Sequence, residues 1–523
     1  MDVMVPLESC VQRSIWWPRI RSKQTLDRVA YQGIISVLMN ESPKREFFHG
    51  VLWNLTERIG NQLIRFFLGV VLARLLMPED YGVLALAAVV LVLSEILIDG
   101  GMMMTLIQRQ NNSQAEYSTV FWSKVVASCF LYIVVYNLAS GISSFYEVPA
   151  LERVLQCMAL ILVISSLSAV HKIQLTNRLD FRGQAKIILI STLIGGGLGI
   201  ALAIEGFGVW SLVVQSIVIQ VIQTLLFWYY NRWSPSLIYS VGFIKSTFGT
   251  TFFFFMNNVL FVIYDNLYVF FLGKMHSPAV LGLYSRAKQF EQLPENTANS
   301  VIVKVLFPVL TRSKDKPDEL RKSTGSILSW LVFIVTPTLL LVAINSEQII
   351  RILLTEKWIG AKEYLVILSV AGILVPVNNA LINVLNVLGK PSISTVVYIL
   401  RIAFLLGVAV LAAGVPPVYL VSLLIPENMI VFLILCSICK RKIGLGLSDA
   451  VGAVGTGYLT NLLCLLLVIT IPVKNIADSD VGHILITTCL YMALYFTMHL
   501  LIRSPQIVFM SSWIRKKKES RGD

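Results

Sequence analysis

The sequence predicts an all-α polytopic membrane protein with about fourteen transmembrane helices, arranged as two pseudo-symmetric six-helix bundles plus two C-terminal helices. Three observations carry that prediction. The composition is too apolar for a soluble chain, apolar runs of bilayer length alternate with short polar turns, and the chain repeats itself at a shift of 200 residues. Of 523 residues, 56% are hydrophobic and only 14% charged, whereas a soluble protein devotes about 25% of its residues to charge.

A helix rising about 1.5 Å per residue needs roughly 20 apolar residues to cross about 30 Å of hydrocarbon. Fourteen runs reach that length, over 50–73, 81–107, 117–139, 149–170, 185–204, 208–230, 246–272, 281–307, 325–345, 361–388, 392–413, 415–437, 450–472 and 480–502. The eighth carries several charges and Pro294, and the eleventh and twelfth are joined only by GVPPV. Before them, residues 1–46 form an N-terminal extension with the short apolar patch YQGIISVLM, which neither spans a bilayer nor ends in a signal-peptidase pattern. Met39 begins a compact basic leader, MNESPKREFFHG, and is an alternative start to Met1.

Charge orients the runs. With the N-terminus in the cytoplasm, 29 of the 43 lysines and arginines fall in inner segments and seven in outer loops, the other seven lying within helices. That asymmetry follows the positive-inside rule and puts both termini in the cytoplasm. The net charge of +13 therefore reads as orientation signals and contacts with anionic lipid heads, in the tail RKKKESRGD and the loop RSKDKPDELRKS, and not as nucleic-acid binding. The seven cysteines form no disulfide framework, and CSIC at 436–439 has no second cysteine or histidine pair to complete a metal site.

The repeat divides the chain. ARLLMPEDYGVL at 73–84 aligns with GKMHSPAVLGLY at 273–284, matching Arg74 to Lys274, Pro78 to Pro278 and Gly82 to Gly282, each pair at an outer turn between two predicted helices. The shift spans six helices, an even number, so the copies run in parallel about an axis along the membrane normal. The expected organisation is an extension over 1–46, bundles over 47–235 and 236–440 joined by a cytoplasmic linker at NRWSPSLIYS, helices thirteen and fourteen over 441–505, and a basic tail over 506–523.

The first helix, opening WNLTERIGNQLIRF, carries charge at membrane depth, where each charged residue costs on the order of 2.5–3.5 kcal/mol. At about 100° per residue, Asn54, Arg58, Asn61 and Arg65 share one narrow face with Glu57 beside it. In the eighth helix Lys288, Glu291, Gln292, Glu295 and Asn299 share another, while Arg286 points away. Glu95, Asp99, Lys124, Asp265, Arg401 and Glu427 add further intramembrane charge. One reading is mutual neutralisation inside a bundle, Glu57 with Arg58 and Lys288 with Glu291. Arg58 and Arg65 together exceed what Glu57 balances, and guanidinium groups bind phosphate bidentately, so the alternative is an anionic ligand such as a diphosphate. No Walker loop, HExxH, GxSxG or Asp-rich metal motif is present, and GGGLG at 195–199 lies within an apolar run, so the expectation is a transporter without enzymatic activity or cofactor.

The stretches GVLWNLTERIGNQLIRFFLGVVLARLLMPEDYGVLALA, DNLYVFFLGKM, LGLYSRAKQFEQLP and VLFPVLTRSKDKPDELR resemble Wzx-type lipopolysaccharide and exopolysaccharide flippases of the multidrug, oligosaccharidyl-lipid and polysaccharide (MOP) exporter superfamily, over about residues 48–440. The resemblance implies a MATE-like fold around a central cavity and alternating access. It also implies transfer of an undecaprenyl-diphosphate-linked oligosaccharide across the bacterial inner membrane for lipopolysaccharide, capsule or exopolysaccharide synthesis. Its partners would be the lipid-linked oligosaccharide, membrane lipids, and a polysaccharide polymerase and chain-length regulator. Family cavity bases map onto Arg58, Arg65, Arg286 and Lys288, with Asn54 and Asn61 on the same polar face as the first two. Glu57, Asp265, Glu291 and Glu295 depart from a purely cationic cavity and are candidates for charge pairing or for coupling to Na+ or H+. Two alternatives stay open: a multidrug/cation antiporter of the same superfamily, which would favour acidic, aromatic-lined sites, and a membrane polysaccharide polymerase or ligase, which would carry a large outer loop that this chain lacks.

Overall fold

The structure, a computed structural model, describes residues 60, 62–109, 112–301, 310, 313–390, 392–411, 414–471 and 479–519. Asn54, Glu57, Arg58 and Asn61, with the extension 1–46 and Met39, lie outside the described residues. Among the described residues every regular element is helical.

Helix α1 covers 62–75. It is followed by α2 (Pro78–Asp99), α3 (Met102–Gln108), α4 (Gln114–Tyr146), α5 (Ala150–Met158), α6 (Leu160–Asn177), α7 (Phe181–Ile204) and α8 (Val209–Asn231). The second half of the chain gives α9 (Val241–Met275), α10 (Pro278–Val301), α11 (Pro317–Ile344), α12 (Ser346–Leu354), α13 (Ala361–Gly372), α14 (Val375–Val387), α15 (Ser392–Leu411), α16 (Pro417–Ser422) and α17 (Leu424–Ile443). The last three are α18 (Leu447–Thr470), α19 (Asp480–Leu501) and α20 (Pro505–Glu519). Eleven helical spans among the described residues are long and apolar enough to cross a membrane. The remaining three predicted runs correspond to α1, the charged α10 and α15.

Local chemistry explains where the helices depart from the predicted runs. The run 81–107 splits because Gly100 and Gly101 both take left-handed backbone, with φ of 51° and 80°, which ends α2 and starts α3. The run 361–388 divides between Gly372 and Val375, with Pro376 in the first turn of α14, where a missing N–H costs nothing. Helix α4 is longer than its apolar run because Ser113 and Glu116 form a reciprocal cap, Ser113 N–H donating to Glu116 Oε2 at 2.7 Å and Glu116 N–H to Ser113 Oγ at 3.3 Å. Amphipathic α12 and the C-terminal α20 fall in stretches read as loop and tail, where hydropathy over a bilayer-length window gives no signal.

The two turns aligned by the repeat meet each other. A Cβ on Gly82 of α2 would overlap the carbonyl of Pro278, and one on Gly282 of α10 would overlap the carbonyl of Pro78, so only glycine lets the two helices approach this closely. The matched bases cross the same seam in opposite directions. Arg74 donates from Nε to Leu353 O at 2.9 Å and from Nη2 to Ile352 O. Lys274 donates to Phe145 O at 2.6 Å and pairs with Glu147 at 3.0 Å. Trp358, fully buried, donates its indole N–H to Ala73 O at 2.8 Å and packs edge-on to Tyr81. Burial beside this seam lowers the pKa of the Lys357 ammonium, with Asp80 opposing the shift, and the ammonium donates to Arg74 O at 2.7 Å. One hydrophobic core runs through it, taking Leu72, Leu86 and Leu155 from the first half and Leu272, Leu281 and Leu365 from the second. We call this side of the molecule the proline end.

At the opposite, linker end, residues 232–240 lie along the start of α4. Gln114 Nε2 donates to Ser234 O at 2.8 Å, Trp122 Nε1 to Ser236 O at 3.0 Å, and Ser240 N–H to Thr119 Oγ1 at 2.8 Å. The chain between the halves is thereby held on the first half up to the beginning of α9.

Candidate functional site

The helices position two polar chambers that sort the predicted residues by charge. The first, about 600 Å³, is lined by Arg65 of α1, Tyr81 and Glu95 of α2, Gln215 of α8, and Ser285, Arg286 and Gln289 of α10. Arg65 and Arg286, far apart in sequence and on opposite sides of the seam, thus face one cavity.

Arg286 is only 8% exposed. Its guanidinium lies 3.7 Å from the Tyr81 ring centroid, and Nη1 donates to Gln289 Oε1, while Nε finds no acceptor. A ring face contributes roughly 2 kcal/mol to a desolvated cation, short of what a full charge loses on leaving water. Among the described residues neither Arg286 nor Arg65 has an ion-pair partner. Such a chamber can take an anion that supplies the missing countercharge.

The second chamber, about 360 Å³, lies among α9, α10, α13, α15 and α17 and holds Asp265, Lys288, Glu291 and Glu295. Lys288 is already neutralised, donating to Asp265 Oδ1 at 2.9 Å and to Asp265 O at 2.8 Å. Its partner is therefore Asp265 and not the expected Glu291, because α9 packs against the face of α10 that carries Lys288. Glu291 is 5% exposed, and its Oε1 has no hydrogen-bond partner and abuts Gly372 of α13. Beside it Arg401 and Glu427 form a buried pair: Arg401 Nε donates to Glu427 Oε1, and Nη2 to Glu427 Oε2 at 3.3 Å and Asn428 Oδ1 at 2.7 Å. The Tyr264 hydroxyl donates to Glu427 Oε2 at 3.2 Å. Of the acidic groups in this chamber, Glu291 is the deeply buried one, with its Oε1 left without a donor.

The structure thus brings Arg65 and Arg286 together and places Lys288 elsewhere, among carboxylates. It also shows a residue the sequence reading missed. Lys172 lies just beyond the apolar run 149–170, but α6 runs on to Asn177, so Lys172 sits inside a helix and faces a third polar cavity shared with Glu95, Asp99 and Lys124. The HKIQ segment follows the apolar run directly, and its continuation as helix is the signal that would have found it. A larger cavity of about 870 Å³, between α11–α13 and α18–α19, holds none of the predicted site residues.

Comparison with known proteins bears on this arrangement. A family model described as polysaccharide biosynthesis protein matches residues 71–363, which include Arg286 and both aligned turns and begin just after Arg65. The chain is 24% identical over 288 residues to the teichuronic acid biosynthesis protein TuaB of Bacillus subtilis, covering 54% of this chain and 59% of that one. It is 24% identical over 330 residues to the lipopolysaccharide biosynthesis protein WzxC of Escherichia coli, covering 62% of this chain and 66% of that one. The chain therefore spans about three fifths to two thirds of the length of these relatives. The fold resembles that of the lipid II flippase MurJ in an inward closed conformation, with a TM-score of 0.69, 14% identity, and coverage of 87% of this chain and all of that one.

Proposed function

This chain belongs to the family of polysaccharide biosynthesis proteins, and from that premise we propose that it is a flippase moving undecaprenyl-diphosphate-linked oligosaccharides across the cytoplasmic membrane by alternating access. The observation that carries the reading is that Arg65 and Arg286 line one cavity from opposite sides of the seam, with no carboxylate bound to either among the described residues. A diphosphate esterified by lipid and sugar supplies two negative charges and pairs of acceptor oxygens that two guanidinium groups can grip. Arg58 and the amides of Asn54 and Asn61, which share the predicted face with Arg65 and lie outside the described residues, are assigned to the same site in this reading.

The proposed architecture is two six-helix bundles over 47–235 and 236–440, with 441–505 added, in a total of fourteen spans. They rock against each other about the seam at the proline end, which faces outward, while the linker end and both termini face the cytoplasm. The drive is a cation, H+ or Na+, taken up at Glu291, where a buried carboxylate without a donor needs countercharge. The product is then consumed outside by a polymerase and its chain-length regulator. The family's description as polysaccharide biosynthesis proteins, and relatives described as teichuronic acid and lipopolysaccharide biosynthesis proteins, support this reading over drug/cation antiport. So does the separation of unpartnered bases from the acidic chamber.

The test is export in cells lacking the native gene. Arg65→Ala and Arg286→Ala should insert normally and each reduce glycan export by at least tenfold, whereas lysine at either site should restore part of it. Normal export by the double alanine variant would exclude the diphosphate site.

A further inference from the structure

The third cavity, at the linker end of the first half, is about 360 Å³ and lies among α2, α4, α6, α8 and α9. It adjoins the cationic chamber directly, since Val92 and Glu95 of α2 line both. Its charge character is nonetheless different. Lys124 is held by Asp99 at 2.8 Å, and Glu95 and Lys172 interact electrostatically without a bond between them, so two acids balance two bases. The remaining polar wall is uncharged: serines on α6, Gln220 and Gln223 on α8, and Asn258 on α9.

The side chains of Glu95, Lys172, Gln223 and Asn258 make no hydrogen bond among the described residues. Together they offer a carboxylate acceptor, an ammonium with three donors, and two amides that donate and accept. A neutral wall of mixed donors and acceptors suits a ligand whose surface is hydroxyl groups, because each hydroxyl both donates and accepts and none brings a charge to be balanced. The volume falls in the range of small-molecule sites, roughly 300–1,000 Å³. We propose that this cavity binds the sugar attached directly to the diphosphate, with Lys172, Gln223, Asn258 and Glu95 as its hydrogen-bonding partners. The proposal rests on the diphosphate reading of the adjoining chamber. A sugar bonded to a diphosphate held by Arg65 and Arg286 must lie next to that chamber, and this cavity shares a wall with it.

The test uses the full chain in nanodiscs and two kinds of probe: bare undecaprenyl diphosphate, and the same lipid carrying glucose, galactose or N-acetylglucosamine. The wild-type chain should bind at least one sugar-bearing probe more tightly than the bare lipid. Lys172→Met and Gln223→Ala should each weaken that probe by about tenfold, near the value of a hydrogen bond to a charged or polar group, and leave bare-lipid binding within about twofold. Binding of the bare lipid also reports that these variants are folded, and unchanged bare-lipid binding by Gln223→Ala separates a contact with the sugar from one with the diphosphate. Equal loss of both probes, no loss of the sugar-bearing probe, or no wild-type preference for any sugar would overturn the assignment. If the wild-type chain fails to bind bare undecaprenyl diphosphate, or Arg65→Ala leaves that binding unchanged, the diphosphate reading fails first and the sugar site with it.

Discussion

Two buried carboxylates of the second chamber show how residue type alone underdetermines role. Glu427 is 2% exposed on the apolar α17, and Glu291 is 5% exposed on the more polar α10. Glu427 is gripped by Arg401, and by Tyr264 through its hydroxyl, whereas Glu291 Oε1 has no donor. Removing one partner of a buried pair strands the other, at a cost of roughly 3–5 kcal/mol. Glu427→Ala should therefore lower thermal stability strongly, with Arg401→Met largely restoring it in the double variant. Glu291→Gln should keep stability near wild type or raise it and instead remove the response of transport to an imposed Na+ or H+ gradient. A melt that ranks the two carboxylates the other way would reverse these roles. The sequence showed all these charges at membrane depth but not their partners. Lys288 and Asp265 are 23 residues apart on different helices, so the arc drawn on one helix could not reveal their pairing. Arg286, by contrast, was legible as pointing away from Lys288, and the structure shows where it points.

At the scale of helices, apolar length located nearly every element, because bilayer-spanning runs are the strongest pattern such a sequence carries. The misses are where a different force sets the boundary: the Gly100–Gly101 break, the Ser113 cap, and α12, whose length falls short of a span. The repeat was readable as three matched positions, yet its meaning was not, since alignment cannot say that two copies touch. They do, each glycine beneath the other copy's proline carbonyl, with Arg74 and Lys274 reaching across in opposite directions. This contact holds α2 against α10 at the proline end and so favours the state closed there. Gly82→Leu should force the helices apart. Spin labels at the repeat-related positions Glu79 and Ala279 should then report a longer distance than in the otherwise wild-type chain, and an unchanged distance would show that the seam opens without regard to this packing.

Over the whole molecule, the arrangement separates three tasks. Among the described residues, two arginines without an ion-pair partner line one cavity across the seam, a buried carboxylate whose Oε1 lacks a donor lies deep in the second half, and a charge-balanced polar cavity opens beside the first chamber. In the proposed flippase, alternating access links them, because Arg65 and Arg286 lie on opposite sides of the seam and their separation changes when the two sides move. The most direct measurement of this account follows the sidedness of a lipid in proteoliposomes. The full chain is reconstituted with a fluorescent undecaprenyl-diphosphate-linked oligosaccharide, and a membrane-impermeant glycosidase reports how much of it reaches the outer leaflet. The account predicts that the wild-type chain exposes nearly all of the lipid with time, and that Arg65→Ala/Arg286→Ala leaves only the fraction present in the outer leaflet at the start. Equal exposure by the wild-type and double-variant chains, or none beyond that initial fraction with the wild type, would contradict it.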